Sequence, residues 1–588
     1  MDILLVVPPI FTTEEGIEPP IGLISIATYL KENTDVSVEI MDFAYEILAN
    51  NITICSNLYT KLAEKILERE PLFVGISIQN ISLSTSINLS KKLKELNGRT
   101  QIIFGGPGVD GLETEILNNF SQVDFIIQGE GEIALAELVV ALKDGTNLAH
   151  VSGLVRRDYS VKGIVTNRRA LIKNLNTLPS PDMSLVNTPA AYSEAIGFQR
   201  TGVNVELARG CGGRCHFCGC SSFWGGVRRT FSAKSVVNHI VNLKQKYCID
   251  HIYLSDDNFL VNPIFASIFC DEIIQRDVSI SWDTRGRINS INDEILALLN
   301  KAGCSHILIG VESTSNEILK DFNKNIDSES QFDKIMLVIN AGILPILSFI
   351  LGHPLETNDS LHQTLLLLCR IYALGRPVAA HLHMMTLIPG TALYRKEIAN
   401  LDVEKKIFKC RGYRIGNVPM LKEDEELIER YPEIFSSFYN VKTKNLDIEL
   451  LEFISKHYVY LVQTFPLSFY LLYLYEYNLV DVLSSLAKLL DGNYAKNSLI
   501  SSFFKFVQGS YKHSDLLEMA ELEYKLDFVS KANQSAECNL ILNYDLFSYR
   551  QKLRKGIQCV EKPASTSRKK IRITADGEKI SIHGKSLQ

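Results

Sequence analysis

Histidine is missing from the opening of the chain: the first is His150, so the N-terminal segments have no imidazole to offer a metal. Neither charge is in excess, with 61 basic against 67 acidic residues, and a net charge of -6 demands neither nucleic acid nor an anionic surface as partner. The N-terminus MDILLVVPPI has no basic flank and no small-residue cleavage site, so it reads as a first strand and places the chain in the cytoplasm. A disulfide framework is also lacking, because twelve cysteines scattered over 588 residues are thiols of a reducing compartment. Only Tyr458 to Tyr475 is uncharged over a length that could span a bilayer. It contains Gln463, Pro466 and several tyrosines, which points to buried helices broken at Pro466 and not to a membrane span. No internal repeat is visible, and the length implies about three or four domains.

What is present is a long alternation of strand and helix patterns. Strands are expected at Ile3–Val7, Val36–Met41, Phe73–Ile78, Gln101–Phe104 and Val123–Gln128, each followed by a helical stretch. Five such units make an α/β, doubly wound, flavodoxin-like parallel sheet over residues 1–147, with a ligand crevice at the carboxyl ends of its strands. GPGVDG, Gly106 to Gly111, fits a dinucleotide glycine pattern but follows the fourth strand instead of the first, so turn glycines or a phosphate-approach loop compete with a nicotinamide site. Residues 148–200 read as a connector with a hairpin pattern in SGLVRRDYSVKGIVTNR. A second series over 201–398 has strands at Val203–Ala208, His251–Ser255, Ser279–Thr284, Ser305–Gly310, Leu344–Leu351 and His381–Leu387, which suits a partial (β/α)6 barrel with chemistry at the strand ends. Residues 399–560 look mainly helical and suit a substrate cover, and 561–588 a polar linker with a hairpin turning at Asp576-Gly577.

The stretch ARGCGGRCHFCGC directly follows the first barrel strand. Cys211, Cys215 and Cys218, spaced C-x3-C-x2-C among glycines, can wrap one loop around an iron-sulfur cube and leave one iron without a thiolate. A closed zinc site with Cys220 as fourth ligand is the competing reading, disfavoured because no distant cysteine or histidine pair accompanies it. Asp256 and Asp257 could contact a cofactor or cap the following helix, and Arg228 and Arg229 could be a solvated face.

CGGRCHFC in this position resembles the signature of the radical S-adenosylmethionine superfamily. LSDDNF, WDTRGRI, GVES, ILGHPLET and LIPGTALY follow in the order of that pattern, and EPPIGLISIATYL, VGISIQN, IIFGGPG and VDFIIQGEGEIAL are similar to the subfamily with an N-terminal cobalamin domain. The resemblance covers about residues 1 to 400. It implies a [4Fe-4S] cluster on the three cysteines, with S-adenosylmethionine held by Phe217, Asp256, Asp257, Arg285, Glu312, Ser313 and Pro389. It implies cobalamin, as methylcobalamin, held by Pro8, Pro20, Gly22, Ser77, Gln79, Asn80, Gly105, Gly106, Pro107, Gly129, Glu130, Gly131 and Glu132. The D-x-H-x-x-G motif of mutase-type cobalamin domains is missing, so the lower cobalt face would be unligated or only weakly approached, by the Ile78-Gln79-Asn80 loop after the third strand. The implied activity is C-methylation of an unactivated carbon in natural-product or ribosomal-peptide (RiPP-type) biosynthesis, with a small molecule or peptide as substrate and a flavodoxin- or ferredoxin-type electron donor. Radical cyclisation, rearrangement or oxidation without methyl transfer is the alternative, and a non-catalytic iron-sulfur electron-transfer protein is the alternative of another class.

Overall fold

The computed structural model describes residues 1–10, 18–404, 420–490, 492, 496–531, 536–544, 546, 549, 565–576 and 579–586. The first sheet begins with β1 (Ile3–Val7), β2 (Val38–Asp42), β3 (Phe73–Ser77), β4 (Gln101–Gly105) and β5 (Phe125–Ile127), all parallel. ILLVV of β1 is buried almost throughout because helices cover both faces of the sheet, as an uninterrupted apolar strand requires. Helices Ile21–Asn33 and Gly131–Asp144 lie on one face, and Leu58–Leu67 and Leu83–Leu96 on the other.

The sheet does not stop at five strands. β6 (Leu154–Asp158) and β7 (Gly163–Thr166) form the expected hairpin, but it joins β5 antiparallel instead of standing apart as a connector. The strand order is β2-β1-β3-β4-β5-β6-β7. Arg157 fastens the hairpin by donating to the carbonyls of Leu117, Val123 and Phe120, at 2.6 Å for Val123 and 2.9 Å for Phe120.

The second sheet contains β8 (Gly202–Glu206), β11 (His251–Ser255), β12 (Ser281–Arg287), β13 (Cys304–Glu312), β14 (Leu344–Leu351) and β15 (Ala379–Met384). All six are parallel in the order β15-β14-β13-β12-β11-β8, so β8 and β15 are free edges of an open barrel. Short strands β9 (Ala208–Arg209) and β10 (Arg229–Thr230) pair antiparallel and pinch the cysteine loop at its base. Alternation sorts the barrel side chains. Trp282 points outward, edge-on to Phe259 and Phe269 at 5.7 and 5.5 Å, while Asp283, Arg285 and Arg287 of the same strand face the lumen.

C-terminal helices Ile448–Thr464, Pro466–Leu474 and Leu479–Leu490 share one apolar core with the barrel's outer face. The uncharged stretch is indeed two packed helices, with Pro466 in the first turn of the second. Tyr458 is buried and donates to the Leu365 carbonyl at 2.7 Å. Among the described residues no helix is long and apolar enough to cross a membrane. The terminal hairpin is β17 (Ser565–Asp576) with β18 (Lys579–Ser586), and β16 (Ala536–Tyr544) adds a third strand within a region expected to be helical. Gly577 and the linker residues 561–564 lie outside the described residues.

Candidate functional site

Between β9 and β10 the chain turns through Gly210 and Gly212, both at positive φ (83° and 71°), and a Cβ on Gly210 would collide with the Val227 carbonyl. The loop is seated by backbone bonds: His216 donates to Phe322 at 3.0 Å, and Leu393 donates to His216 at 2.8 Å. Cys211, Cys215 and Cys218 are half-buried and near enough that Cys218 acts electrostatically on each of the other two. Burial pushes the Cys211 and Cys215 thiols up, and a hydrogen bond with Cys220 holds Cys218 down to about 7. Arg287 reaches Cys215 from the lumen, 3.8 Å from its sulfur. Cys220 donates to Asp257 at 2.9 Å. Among the described residues no three acidic, histidine or cysteine side chains are grouped to chelate one ion. Three thiols on one loop that feel one another electrostatically suit attachment of a cube by three of its four irons.

The carboxyl ends of the barrel strands surround this loop. At β13 the register shifts and Glu312 takes a left-handed backbone, φ 66°. Its buried carboxylate pairs with the equally buried Lys324, and Gly310 makes room, since a Cβ there would meet both groups. Phe217 packs edge-on against Phe322 at 4.8 Å, with the Lys324 ammonium 6.0 Å from its ring centroid. Ser313 is buried, its hydroxyl accepting from the Ser315 N–H at 3.1 Å. Arg285 is exposed in the lumen near Glu18, whose carboxyl is pushed up to about 7 by burial and by Asp283 while Arg285 opposes the rise. Asp256 neither caps the next helix, whose cap is Asn262, nor offers a free carboxylate. It is buried against Arg228 and also accepts from the Asn258 N–H at 2.9 Å. Arg228 and Arg229 are therefore not a solvated face.

A cavity of about 400 Å³ opens where the first sheet meets the barrel. Its floor is apolar: Leu5, Ile76, Ile103 and Ile127 from the strands, Leu23 and Ile26 from the first helix. Gly22, Ser77, Gly105, Gly106 and Pro107 line it, as do Gly129, Glu130, Gly131 and Glu132. Gly22 has no neighbour within 4 Å of an added Cβ, so a side chain there would have open space to occupy. Pro8, Pro20, Gln79 and Asn80 do not line the cavity. The Gln79-Asn80 backbone lies where a Cβ of Gly108 would sit, and Ile78 lies where a Cβ of Gly106 would, which holds the Ile78-Gln79-Asn80 loop against β4's exit. Gly111 meets the Gly390 backbone in the same way, next to Pro389. The glycine pattern that mimics a dinucleotide loop thus permits two close backbone approaches, one inside the first unit and one to the barrel.

Glu130 and Glu132 have a further use that no local pattern revealed. Buried Arg209 donates to Glu130 and Glu132 at 2.7 Å each and to Glu206 at 2.9 Å, and Arg229 donates to Glu130 at 2.6 Å. Ser25 adds a bond to Glu132 at 2.8 Å. Burial alone would raise Glu132, and Arg209 more than reverses it. Trp224 stacks beneath both guanidiniums, 5.8 Å from each. The network joins the two units directly beside the cysteine loop. Its ion pairs between the two units join residues 77 to 99 apart, too far for spacing to show.

The glycine-cradled cavity and the three-thiol loop fit the corrinoid and the cluster that the sequence resemblance implies. Two family models match: the B12 binding domain over residues 8–139 and the Radical SAM superfamily over 205–368. The chain is 29% identical over 409 residues to an uncharacterized methyltransferase of Pyrococcus horikoshii, covering 68% of this chain and 84% of that protein. It is 25% identical to the anaerobic magnesium-protoporphyrin IX monomethyl ester cyclase of Rubrivivax gelatinosus, covering 72% of this chain and 74% of the cyclase. The structure of the cobalamin-dependent S-adenosylmethionine radical enzyme OxsB, with aqua-cobalamin bound, superposes with a TM-score of 0.62 at 16% identity, covering 90% of this chain and 80% of OxsB, a likeness of fold. With a corrinoid-binding sheet joined through buried ion pairs to a barrel that carries the three-cysteine loop, the chain belongs to the cobalamin-dependent radical S-adenosylmethionine enzymes, whose cofactors are a [4Fe-4S] cluster, S-adenosylmethionine and cobalamin.

Proposed function

We propose that this enzyme is a C-methyltransferase acting on an unactivated carbon of a natural-product or ribosomal-peptide substrate. One observation carries the reading. The short helix Gly219–Phe223, which follows Cys218, turns Gly219, Cys220 and Phe223 into the wall of the corrinoid cavity, so the cluster loop and that cavity share a partition one helix thick. When bound, the cluster supplies the electron that cleaves S-adenosylmethionine to a hydrogen-abstracting radical, and the corrinoid supplies a transferable methyl group.

The chain's own part is to hold and orient. Cys211, Cys215 and Cys218 are the proposed cluster ligands. Glu312 and Lys324 set a carboxylate and an ammonium side by side at the end of β13, complementary to the two charges of an amino acid, and Ser313, Phe217, Asp257, Arg285 and Pro389 complete the proposed nucleotide site. In the corrinoid cavity the glycines let a large planar group approach the backbone, and the apolar floor excludes water. Substrate belongs in the lumen, which presents Tyr253, Asp283, His306, His381 and His383. That wall suits a polar, hydrogen-bonding substrate better than a hydrocarbon one. Relatives named as methyltransferases support methyl transfer. The cyclase relative supports a second reading, radical ring closure or oxidation on the same framework.

The two differ in one product. Reduced enzyme loaded with cluster and cobalamin, given S-adenosylmethionine, is expected to form S-adenosylhomocysteine in an amount equal to its cobalamin. Deoxyadenosine without any S-adenosylhomocysteine would instead establish the second reading.

A further inference from the structure

The partition helix has a second face. While Gly219, Cys220 and Phe223 line the corrinoid cavity, Cys218, Ser221 and Ser222 line a separate cavity of about 470 Å³ that shares no lining residue with the first. Cys215 is also in its wall, so two of the three cluster cysteines border this second space. Its rim is open to solvent, with Arg214, Gly225, Asn323, Ala392 and Arg395 all exposed.

The charge of this opening is one-sided. Arg214, His216 and Arg395 are its ionisable lining residues besides the cysteines, and no Asp or Glu lines it. Among the described residues neither arginine has a carboxylate partner, and Arg395 only donates to the Gly390 carbonyl at 2.8 Å. Asp110, which accepts from the lining residue Ser222, is already paired with Arg169 at 3.4 Å, and Asp321 is paired with Lys396 at 2.7 Å. Two guanidiniums without a carboxylate partner among the described residues therefore flank a depression whose wall includes the proposed cluster ligands, on the side away from the corrinoid cavity.

We propose that this opening is the docking surface for the electron donor, an acidic one-electron carrier protein of flavodoxin or ferredoxin type that sets surface carboxylates on Arg214 and Arg395. One electron leaves the reduced carrier and enters the oxidised cluster through the Cys215 and Cys218 side, with no bond made or broken. This placement rests on the assignment of those cysteines as cluster ligands. It leaves the lumen and the corrinoid cavity free for substrate and cofactors during reduction.

The test is anaerobic stopped-flow reduction of the cluster, followed by its visible bleaching, with reduced flavodoxin and separately with dithionite. Arg214→Glu/Arg395→Glu is expected to slow reduction by flavodoxin at least about 10-fold at low salt, with the gap narrowing as salt rises and the dithionite rate unchanged. Arg395→Glu alone, outside the cysteine motif, is expected to slow flavodoxin in the same direction. Equal flavodoxin rates in wild type and both variants would overturn the docking site, and so would equal slowing by both reductants, which would mark the arginines as supports of the cluster. Wild-type protein that assembles no cluster would instead refute the ligand assignment.

Discussion

Glu312 holds a left-handed backbone that costs a non-glycine residue about 1–3 kcal/mol, and it does so at a strand end facing the cysteine loop, where such strain accompanies function. Its partner Lys324 is buried as well, so removing one charge strands the other. Lys324→Met is expected to destabilise the protein by about 3–5 kcal/mol in urea unfolding, and adding Glu312→Gln should restore most of that loss. The cysteines separate by role. Cys215→Ala should abolish cluster iron, whereas Cys220→Ala, which removes a donor to Asp257 and the hydrogen bond to Cys218 but no proposed ligand, should keep about four irons per chain by iron and sulfide analysis. A local motif marked residues that the structure then places around the two cavities and the loop: the three cysteines, Glu312 at the end of β13 and the cavity glycines. Arg209, Arg228, Arg229 and Lys324 carry no such mark, because each acquires its meaning from a carboxylate in another segment. Asp256 misleads for the same reason, since its spacing suggests a cap while Arg228 occupies it.

Among elements, β9 and the first turn of the helix Gly131–Asp144 are coupled through Arg209. Arg209→Met leaves Glu130, Glu132 and Glu206 facing one another with only Arg229 to compensate. The expected loss is about 3–5 kcal/mol, seen as a urea transition that splits into two as the first sheet and the barrel unfold separately. A second tie is the helix Lys422–Arg430, whose buried Asp424 accepts from Tyr59 at 2.6 Å and Asn88 at 2.8 Å on the first unit. Burial raises its carboxyl from 3.8 to about 7. The folded state therefore keeps the proton longer than the unfolded state, and this group's contribution to stability falls between about pH 4 and 7 and is constant above. Asp424→Asn should remove that dependence, so that the loss of wild-type stability from pH 5 to 8 shrinks by roughly 2–3 kcal/mol in urea midpoints. Most elements were legible because hydrophobic period and turn residues act locally. The exceptions are partnerships. The hairpin β6–β7 alternates like any edge pair, and nothing local says that it extends the first sheet. β16 becomes a strand beside β17, to which its own sequence gives no pointer.

At the scale of the whole molecule, the parallel strands of two sheets point their carboxyl ends at one loop, and a five-residue helix there separates the glycine-lined cavity from the solvent-open one. The order of motifs along the chain announced both sheets and their cofactors. How the sheets face one another was hidden, because the approach of Gly111 to Gly390 and the Arg209 network arise only on folding. The central claim is that three thiolates hold a cube with one iron open to S-adenosylmethionine. Its most direct test is the release of 5′-deoxyadenosine when anaerobically loaded protein is reduced in the presence of S-adenosylmethionine. Wild type should release it and Cys215→Ala should not. A wild-type protein with its full iron content and an intact cube that leaves S-adenosylmethionine uncleaved would contradict the claim.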